Sequence, residues 1–191
     1  MRISGGLLKG RRLAPKKAFT KKGGEDALRP TSSKVREALF DILRNKMDGA
    51  LFLDLFAGTG TVGLEALSRG ASATYFVEGN PLRARMIRDF LARIGFSERA
   101  FVHTKRALDF LKEAARKGMT FDIIFADPPY ASDETEKILP LIDAGSILGE
   151  GGTVVVEHSS KTALCNELPT LNLIRNYRYG DTMLTLYRKQ R

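Results

Sequence analysis

The fold class is indicated most clearly by one stretch of the sequence, Leu51-Phe52-Leu53-Asp54-Leu55-Phe56-Ala57-Gly58-Thr59-Gly60-Thr61-Val62-Gly63. It leads directly into Leu64-Glu65-Ala66-Leu67-Ser68. Its apolar first half predicts a buried strand. Its second half predicts a glycine-rich turn that opens a helix, and the glycines let the backbone approach a ligand closely. The stretch therefore predicts a strand-loop-helix unit of an α/β protein with a ligand at the loop.

A carboxylate follows the next predicted strand, because Glu78 comes directly after Ala73-Thr74-Tyr75-Phe76-Val77. At the carboxyl end of a strand, such a side chain can bind both hydroxyls of a ribose. The loop glycines and this acid also satisfy the dinucleotide fingerprint, so a nicotinamide dehydrogenase is one alternative. Asp54 would repel a pyrophosphate but could neutralise the ammonium of a methionyl group. The pattern thus favours S-adenosylmethionine, and a glycine turn that only packs helix against strand is the simpler alternative.

A second motif, Asp127-Pro128-Pro129-Tyr130, ends the apolar run Phe121-Asp122-Ile123-Ile124-Phe125-Ala126. The prolines restrict the backbone, so the loop is expected to be preorganised. Asp127 and the Pro128 carbonyl can accept hydrogen bonds from an exocyclic amine, and Tyr130 can stack on its ring. The motif indicates methyl transfer to a nucleobase amine, although an Asp at a strand end followed by an ordinary Pro-Pro turn would look the same.

Strands and helices alternate along most of the chain, which predicts a parallel sheet between helices. The last two strands have no room for a helix between them and are expected to pair antiparallel. An apolar stripe over Val35, Leu39, Ile42 and Leu43 predicts a helix before the first strand. The predicted strands cover 51–56, 73–77, 100–103, 121–126, 153–157, 171–177 and 182–187, and the later helices cover 63–69, 81–94, 107–117 and 134–142.

Composition limits the class of protein. A chain of 191 residues with 43% hydrophobic content suits one α/β domain with a small extension. No apolar run is long enough for a membrane span and the first residues lack a signal peptide, so we expect a cytoplasmic protein without membrane contact. A single cysteine, Cys165, excludes an internal disulfide and is expected in a helix. His103 and His158 show no metal spacing, so no metal site is predicted.

The first part of the chain is strongly basic. The formal net charge is +9, and no acidic residue occurs from Met1 to Gly24. Such a segment could follow a sugar-phosphate backbone as an arm or hairpin, although a solvated tail is the alternative. The residues expected to contact RNA are Arg2, Lys9, Arg11, Arg12, Lys16 and Lys17.

Taken together, these motifs resemble the bacterial small-subunit ribosomal RNA guanine-N2 methyltransferases of the RsmD type. The resemblance also covers Arg2-Ile3-Ser4-Gly5-Gly6, Arg29-Pro30-Thr31 and Val35-Arg36-Glu37-Ala38-Leu39-Phe40. It implies a Rossmann-like class I methyltransferase fold, in which a seven-stranded, mostly parallel sheet ends in an antiparallel hairpin. It further implies S-adenosylmethionine as donor, a guanine N2 amine in 16S ribosomal RNA as acceptor, and ribosomal RNA or a small-subunit assembly particle as partner. The sequence leaves the oligomeric state open, with a monomer favoured.

The resemblance also implies roles for individual residues. Residues 1–29 would form an RNA-contacting arm and 30–191 the methyltransferase domain. An adenine contact after the third strand is not assigned, because Lys105-Arg106-Ala107 stands where such enzymes often have Asp or Asn. A DNA amino-methyltransferase and a non-catalytic RNA-binding protein remain alternatives. The cofactor would be held by Arg29, Thr31, Asp54, Phe56, Ala57, Gly58, Thr59, Gly60 and Glu78, and the base by Asp127, Pro128, Pro129 and Tyr130.

Overall fold

A seven-stranded sheet forms the centre of the molecule, with strand order β3-β2-β1-β4-β5-β7-β6. The computed structural model describes residues 2–11, 32–129, 133–165 and 168–190. Strands β1 to β5 are mutually parallel, and β7 pairs antiparallel with both β5 and β6. The strands are β1 Leu51–Asp54, β2 Ala73–Val77, β3 Ala100–His103, β4 Phe121–Ala126, β5 Leu148–Ser159, β6 Leu171–Tyr179 and β7 Thr182–Lys189.

Within the described ranges, five α-helices cover the two faces of this sheet. They are α1 Ser33–Ile42, α2 Thr61–Ser68, α3 Pro81–Ile94, α4 Ala107–Arg116 and α5 Glu134–Ala144. Apolar residues of α1, α2 and α3 pack on one face, and those of α4 and α5 on the other. None of the helices in the described ranges is long and apolar enough to cross a bilayer.

Local sequence explains where the helices begin. The Ser32 hydroxyl accepts a hydrogen bond from the Val35 amide and so caps α1. The Asn80 side chain accepts from the amides of Leu82 and Arg83, and Pro81 occupies the first turn of α3. The Asn80 cap places the start of α3 at Pro81, where it is predicted.

The predicted architecture, including the antiparallel terminal hairpin, is confirmed, but two local predictions were wrong. Strand β5 begins at Leu148, which pairs with Phe121, because a register shift between Phe121 and Ile123 accommodates the glycine-rich segment within the strand. Cys165 is exposed and lies outside any helix. Its carbonyl instead accepts a hydrogen bond from the Tyr187 hydroxyl at 2.9 Å, so the segment is held against β7.

The described N-terminal residues form a turn that packs on the carboxyl end of α2. The Ile3 amide donates to the Arg11 carbonyl and the Leu7 amide to the Ser68 carbonyl, while Ile3 is buried beside α2 and α3. A Cβ at Gly6 would lie 1.8 Å from the Ser68 carbonyl oxygen, and Gly6 has a φ of +74°, so only glycine fits. This contact lies at the end of α2 that is opposite the glycine loop.

A buried ion-pair cluster holds the same region together. Glu65, on α2, is fully buried and accepts from Arg36 of α1 at 2.7 Å and from Arg69 at 2.8 Å. Ser4 also donates to Glu65, and Arg36 donates to the Arg2 carbonyl at 3.0 Å. We call Ser4, Arg36, Glu65 and Arg69 the Glu65 cluster, which joins the N-terminal turn to both helices.

Candidate active site

Three carboxylates meet at one edge of the sheet. Asp54 ends β1, Glu78 follows β2, and Asp127 follows β4. Strand β1 pairs with β2 on one side and with β4 on the other. The strand order therefore reverses at β1: β2 and β3 lie on one side of it, and β4 and β5 lie on the other. Open α/β sheets bind ligands at such a switch point, outside the carboxyl ends of the strands.

The loop between β1 and α2 depends on its glycines. Gly58 and Gly60 have φ values of +53° and +74°, which are costly for residues with a Cβ. The Gly60 amide closes the turn by donating to the Ala57 carbonyl at 2.6 Å, and the Ala57 amide donates to the Val77 carbonyl at 2.8 Å. Gly63 serves packing, since a Cβ there would lie 2.3 Å from the Phe76 ring.

Asp54 caps α2 from beneath this loop. Its Oδ2 accepts a hydrogen bond from the Gly63 amide at 2.9 Å, which satisfies a first-turn donor that Gly60 has no side chain to reach. The residue is 1% exposed, and burial raises the pKa of its carboxyl to about 7. The Gly63 bond opposes that shift in pKa, whereas the charges of Asp127 and Glu78 add to it. A cation at this edge would therefore be stabilised.

Glu78 braces the glycine loop against the start of α3. One carboxylate oxygen accepts from the Gly58 amide at 2.8 Å, and the other accepts from the Asn80 amide at 2.7 Å and Arg83 Nε at 3.1 Å. A carboxylate has roughly four lone-pair sites, and these bonds occupy three of them. Acceptance of hydrogen bonds from both ribose hydroxyls would consequently require Arg83 to withdraw.

Only part of the predicted base-binding loop is described. Asp127 is half-buried, Pro128 is buried and Pro129 is exposed, while Tyr130 lies outside the described residues. The Asp127 charge contributes to the raised pKa of Asp54, so these two carboxylates belong to one electrostatic site. Asp127 can therefore accept a hydrogen bond from a substrate close to Asp54, where a cation would be stabilised.

The remaining predicted residues occupy several positions. Phe56 is half-buried and packs against the core under α4 and α5, and Thr59 is buried with its hydroxyl 2.8 Å from that of Thr61. Arg2, Lys9 and Arg11 are exposed on the N-terminal turn. Besides Tyr130, the predicted residues that lie outside the described ranges are Arg12, Lys16, Lys17, Arg29 and Thr31.

Sequence reasoning did not single out Arg83 as a partner of Glu78. The Asn80-Pro81 cap signal was present and sets Arg83 on the first turn of α3, facing the loop. After β3, Lys105 is paired with Glu113 of α4 rather than directed at an assigned ligand. Within the described part of the chain, no cluster of His, Cys, Asp and Glu could hold a metal ion.

The chain matches the family model described as conserved hypothetical protein 95 over residues 1–188. It is 34% identical over 190 residues to the putative rRNA methyltransferase YlbH of Bacillus subtilis, with 100% of both chains covered. It is 30% identical over 190 residues to ribosomal RNA small subunit methyltransferase D of Escherichia coli K12, covering 100% of this chain and 90% of that one.

Solved structures share the architecture. The putative methyltransferase yhhF from Escherichia coli superposes with a TM-score of 0.84 at 29% identity, covering 100% of this chain and 98% of the other. An RNA methyltransferase from Salinibacter ruber, solved with S-adenosyl-L-homocysteine, gives a TM-score of 0.64 at 13% identity, with 84% and 94% covered. The fold is accordingly the Rossmann-like fold of S-adenosylmethionine-dependent methyltransferases.

Proposed function

This chain belongs to the RsmD-type family of ribosomal RNA methyltransferases, and from that premise we propose that it methylates the exocyclic N2 amine of a guanine in small-subunit ribosomal RNA. S-adenosylmethionine is the cofactor of the family's fold. The observation that supports the proposal is that Asp54, Glu78 and Asp127 lie at the carboxyl ends of three adjacent parallel strands and so meet at one edge of the sheet. The residues proposed for the donor and for the acceptor thus lie at the same edge of the sheet.

The residues of the loop fit a cationic nucleoside cofactor. Asp54 is a buried carboxylate whose raised pKa reports a charge with too little compensation, and a methionyl ammonium or a sulfonium would supply it. Gly58 and Gly60 keep the loop free of side chains, and Glu78 lies at the end of β2 where a ribose would bind. When bound, S-adenosylmethionine supplies a methyl group already activated on sulfur.

The acceptor residues need only align and desolvate the amine. Guanine presents neighbouring N1–H and N2–H donors, which suit the Asp127 carboxylate and the Pro128 carbonyl. Asp127 would favour the pyramidal amine by accepting its hydrogen bond, and the proton would leave the nitrogen after transfer. Tyr130 is proposed to stack on a base that has been turned out of its helix.

The remaining proposals concern the contacts with RNA and the border of the cofactor site. We propose residues 1–29 as an RNA-contacting arm, with Arg2, Lys9, Arg11, Arg12, Lys16 and Lys17 on phosphates, and 30–191 as the catalytic domain. Arg29 and Thr31 directly precede α1 in sequence and are proposed to border the cofactor. The +9 net charge supports a polyanionic substrate.

Nucleoside mass spectrometry tests the acceptor. Small subunits from a strain lacking the protein, and separately DNA, are incubated with purified protein and isotopically labelled S-adenosylmethionine. N2-methylguanine in the ribosomal RNA is expected, Asp127→Ala should lower turnover at least 100-fold with little change in cofactor affinity, and Asp109→Ala on the exposed surface of α4 should match wild type. Labelled N6-methyladenine or N4-methylcytosine in DNA would point to a DNA amino-methyltransferase, and absence of any product to a non-catalytic protein.

A further inference from the structure

Strand β6 presents three stacking or charged side chains on the sheet face that α1 covers. Across β6 and β7, Arg175 pairs with Leu186, Tyr177 with Leu184 and Tyr179 with Thr182, and directly paired residues share a face. Leu184 and Leu186 belong to the core under α1, and both tyrosines pack against it while half-exposed. We call Arg175, Tyr177 and Tyr179 the β6 surface.

This surface is basic and aromatic together. The Arg175 guanidinium lies 5.3 Å from the centroid of the Tyr177 ring. Residues 171–190 contain Arg175, Arg178, Arg188 and Lys189 but only one acid, Asp181. Among the residues that the structure describes, Arg175 and Arg188 form no ion pair with a carboxylate. The surface is therefore complementary to a polyanion with planar bases.

The sheet sets this surface level with the candidate active site. Ala126 pairs with Val156, and the next residue on β5, Glu157, pairs with Leu184, which pairs with Tyr177. Asp127, one residue after Ala126, thus lies in the same cross-strand row as Tyr177. Three strand spacings separate β4 from β6, or about 14 Å, which matches roughly four stacked nucleotides.

The orientation of α1 places its first residues at the same edge of the sheet as the β6 surface. Just after α1, Lys46 donates to the Gly151 carbonyl at 3.1 Å, near the amino end of the parallel strands. The start of α1 therefore lies towards the carboxyl ends of the strands, together with Tyr179 and the turn at Gly180. The β6 surface and the start of α1 both border the acceptor side of the site.

We propose that the β6 surface binds the RNA segment next to the target nucleotide, with Arg175 contacting a phosphate or stacking on a base and Tyr179 stacking on another. This inference rests on RNA being the substrate of the proposed function. Charged residues on an edge strand also discourage sheet-to-sheet pairing. Protection of the edge strand would explain why Arg175 is charged, but it would not explain the two tyrosines, Tyr177 and Tyr179. If that were the only role of Arg175, its substitution should not change the affinity for RNA.

Filter binding with a radiolabelled in vitro transcript of small-subunit ribosomal RNA, repeated over a salt series, tests the surface. The variants are Arg175→Ala, Arg175→Lys and Tyr179→Ala. The control is Arg93→Ala, which removes an arginine stacked 5.4 Å from the Phe90 ring on the last turn of α3, away from the site. Thermal unfolding verifies that each variant is folded.

Arg175→Ala should weaken RNA binding at least fivefold relative to Arg93→Ala and reduce the salt slope by about 1. Arg175→Lys should keep the slope, and Tyr179→Ala should lose at least fivefold in affinity through its stack. Affinities of Arg175→Ala and Tyr179→Ala within threefold of the control would overturn the proposal. S-adenosylhomocysteine affinity should stay constant in all variants, and a matching loss of it would also count against an RNA role.

Failure of this inference differs from failure of the proposed function. If wild type produces no N2-methylguanine, the proposed function falls, yet the binding comparison with Arg93→Ala still decides whether the β6 surface contacts RNA. If wild type is active, the Arg175→Ala loss should appear as a raised KM for small subunits with kcat nearly unchanged. A change confined to kcat would exclude a binding role.

Discussion

At the scale of single residues, Asp54 combines two demands that work against each other. It must be buried to cap α2 through the Gly63 amide, and that burial raises the pKa of its carboxyl to about 7. The folded protein therefore holds this proton more tightly than the unfolded chain does. Its contribution to stability is present below the ordinary pKa of 3.8 and is lost as pH rises through about 7.

A ligand whose ammonium lies beside Asp54 should reverse that cost, because the positive charge favours the ionised carboxylate. S-adenosylhomocysteine affinity is expected to rise about 15-fold from pH 5.5 to 7.0, following the ionised fraction of a group with a pKa of about 7. Calorimetry at pH 6.5 in two buffers of different ionisation enthalpy should show proton release on binding. Asp54→Asn should bind more weakly and with little pH dependence. The same pH profile in Asp54→Asn would exclude this carboxyl as the titrating group.

Glu78 and Arg83 form the second residue-scale test. Glu78→Ala should weaken S-adenosylhomocysteine binding roughly 30- to 150-fold, because it removes charge-assisted hydrogen bonds worth about 2–3 kcal/mol. Arg83→Ala is the matched control variant. It removes the hydrogen bond that Arg83 Nε donates to the Glu78 carboxylate at 3.1 Å and so frees one lone pair for a ribose hydroxyl. The affinity for S-adenosylhomocysteine should therefore stay equal or increase. Calorimetric titration measures both, and equal affinities for wild type and Glu78→Ala would remove Glu78 from the cofactor site.

At the scale of elements, α2 is held at both ends by different parts of the chain. Asp54 caps its amino end, Gly63 lets it approach Phe76, and Ser68 at its carboxyl end binds the N-terminal turn. The Glu65 cluster ties α2 to α1 between these ends. Helix α2 thus connects the N-terminal turn to the glycine loop as one continuous element.

Glu65→Ala should lower the free energy of unfolding by about 3–5 kcal/mol, since it leaves the buried Arg36 charge without its partner. Urea denaturation measures this change. Asp41→Ala provides the control, because it removes an exposed ion pair with Arg44 and should cost less than about 1 kcal/mol. Limited proteolysis should also cut the N-terminal turn sooner in Glu65→Ala. Equal losses of stability in the two variants would show that the cluster is no more than a surface ion pair.

At the scale of the whole molecule, the proposed cofactor site joins the ends of β1 and β2 to the starts of α2 and α3, so a bound cofactor should stabilise the fold as a unit. S-adenosylhomocysteine at 100 times its dissociation constant is expected to add about 2.7 kcal/mol. For a chain of this length that corresponds to a rise in Tm of about 5–11 °C. Differential scanning fluorimetry should show this rise in wild type and Asp127→Ala but a smaller one in Glu78→Ala at the same concentration. An unchanged wild-type Tm would contradict a cofactor site in this fold.

The order of elements and the parallel sheet could be predicted from the sequence, because apolar periodicity and the glycines at Gly58 and Gly60 are signals that act over a few residues. The antiparallel terminal hairpin is predicted because no helix fits between the last two strands, and the family is indicated by the resemblance of motifs along the chain. The strand ends that carry Asp54, Glu78 and Asp127 could likewise be read from the sequence, because parallel strands bring their carboxyl ends to one edge. The length of β5 was underestimated, since its glycines resemble a loop.

Contacts between side chains of different elements could not be predicted from the sequence and are seen only in the folded structure. Arg36 and Glu65 are 29 positions apart, and no local pattern pairs them. The same holds for the row from Asp127 to Tyr177, which runs across β4, β5, β7 and β6. Such contacts depend on strand register and on how helices pack, and a shift of one residue turns every side chain of a strand to the other face. Register is a property of the assembled sheet, so the charges and stacks built on it became visible only there.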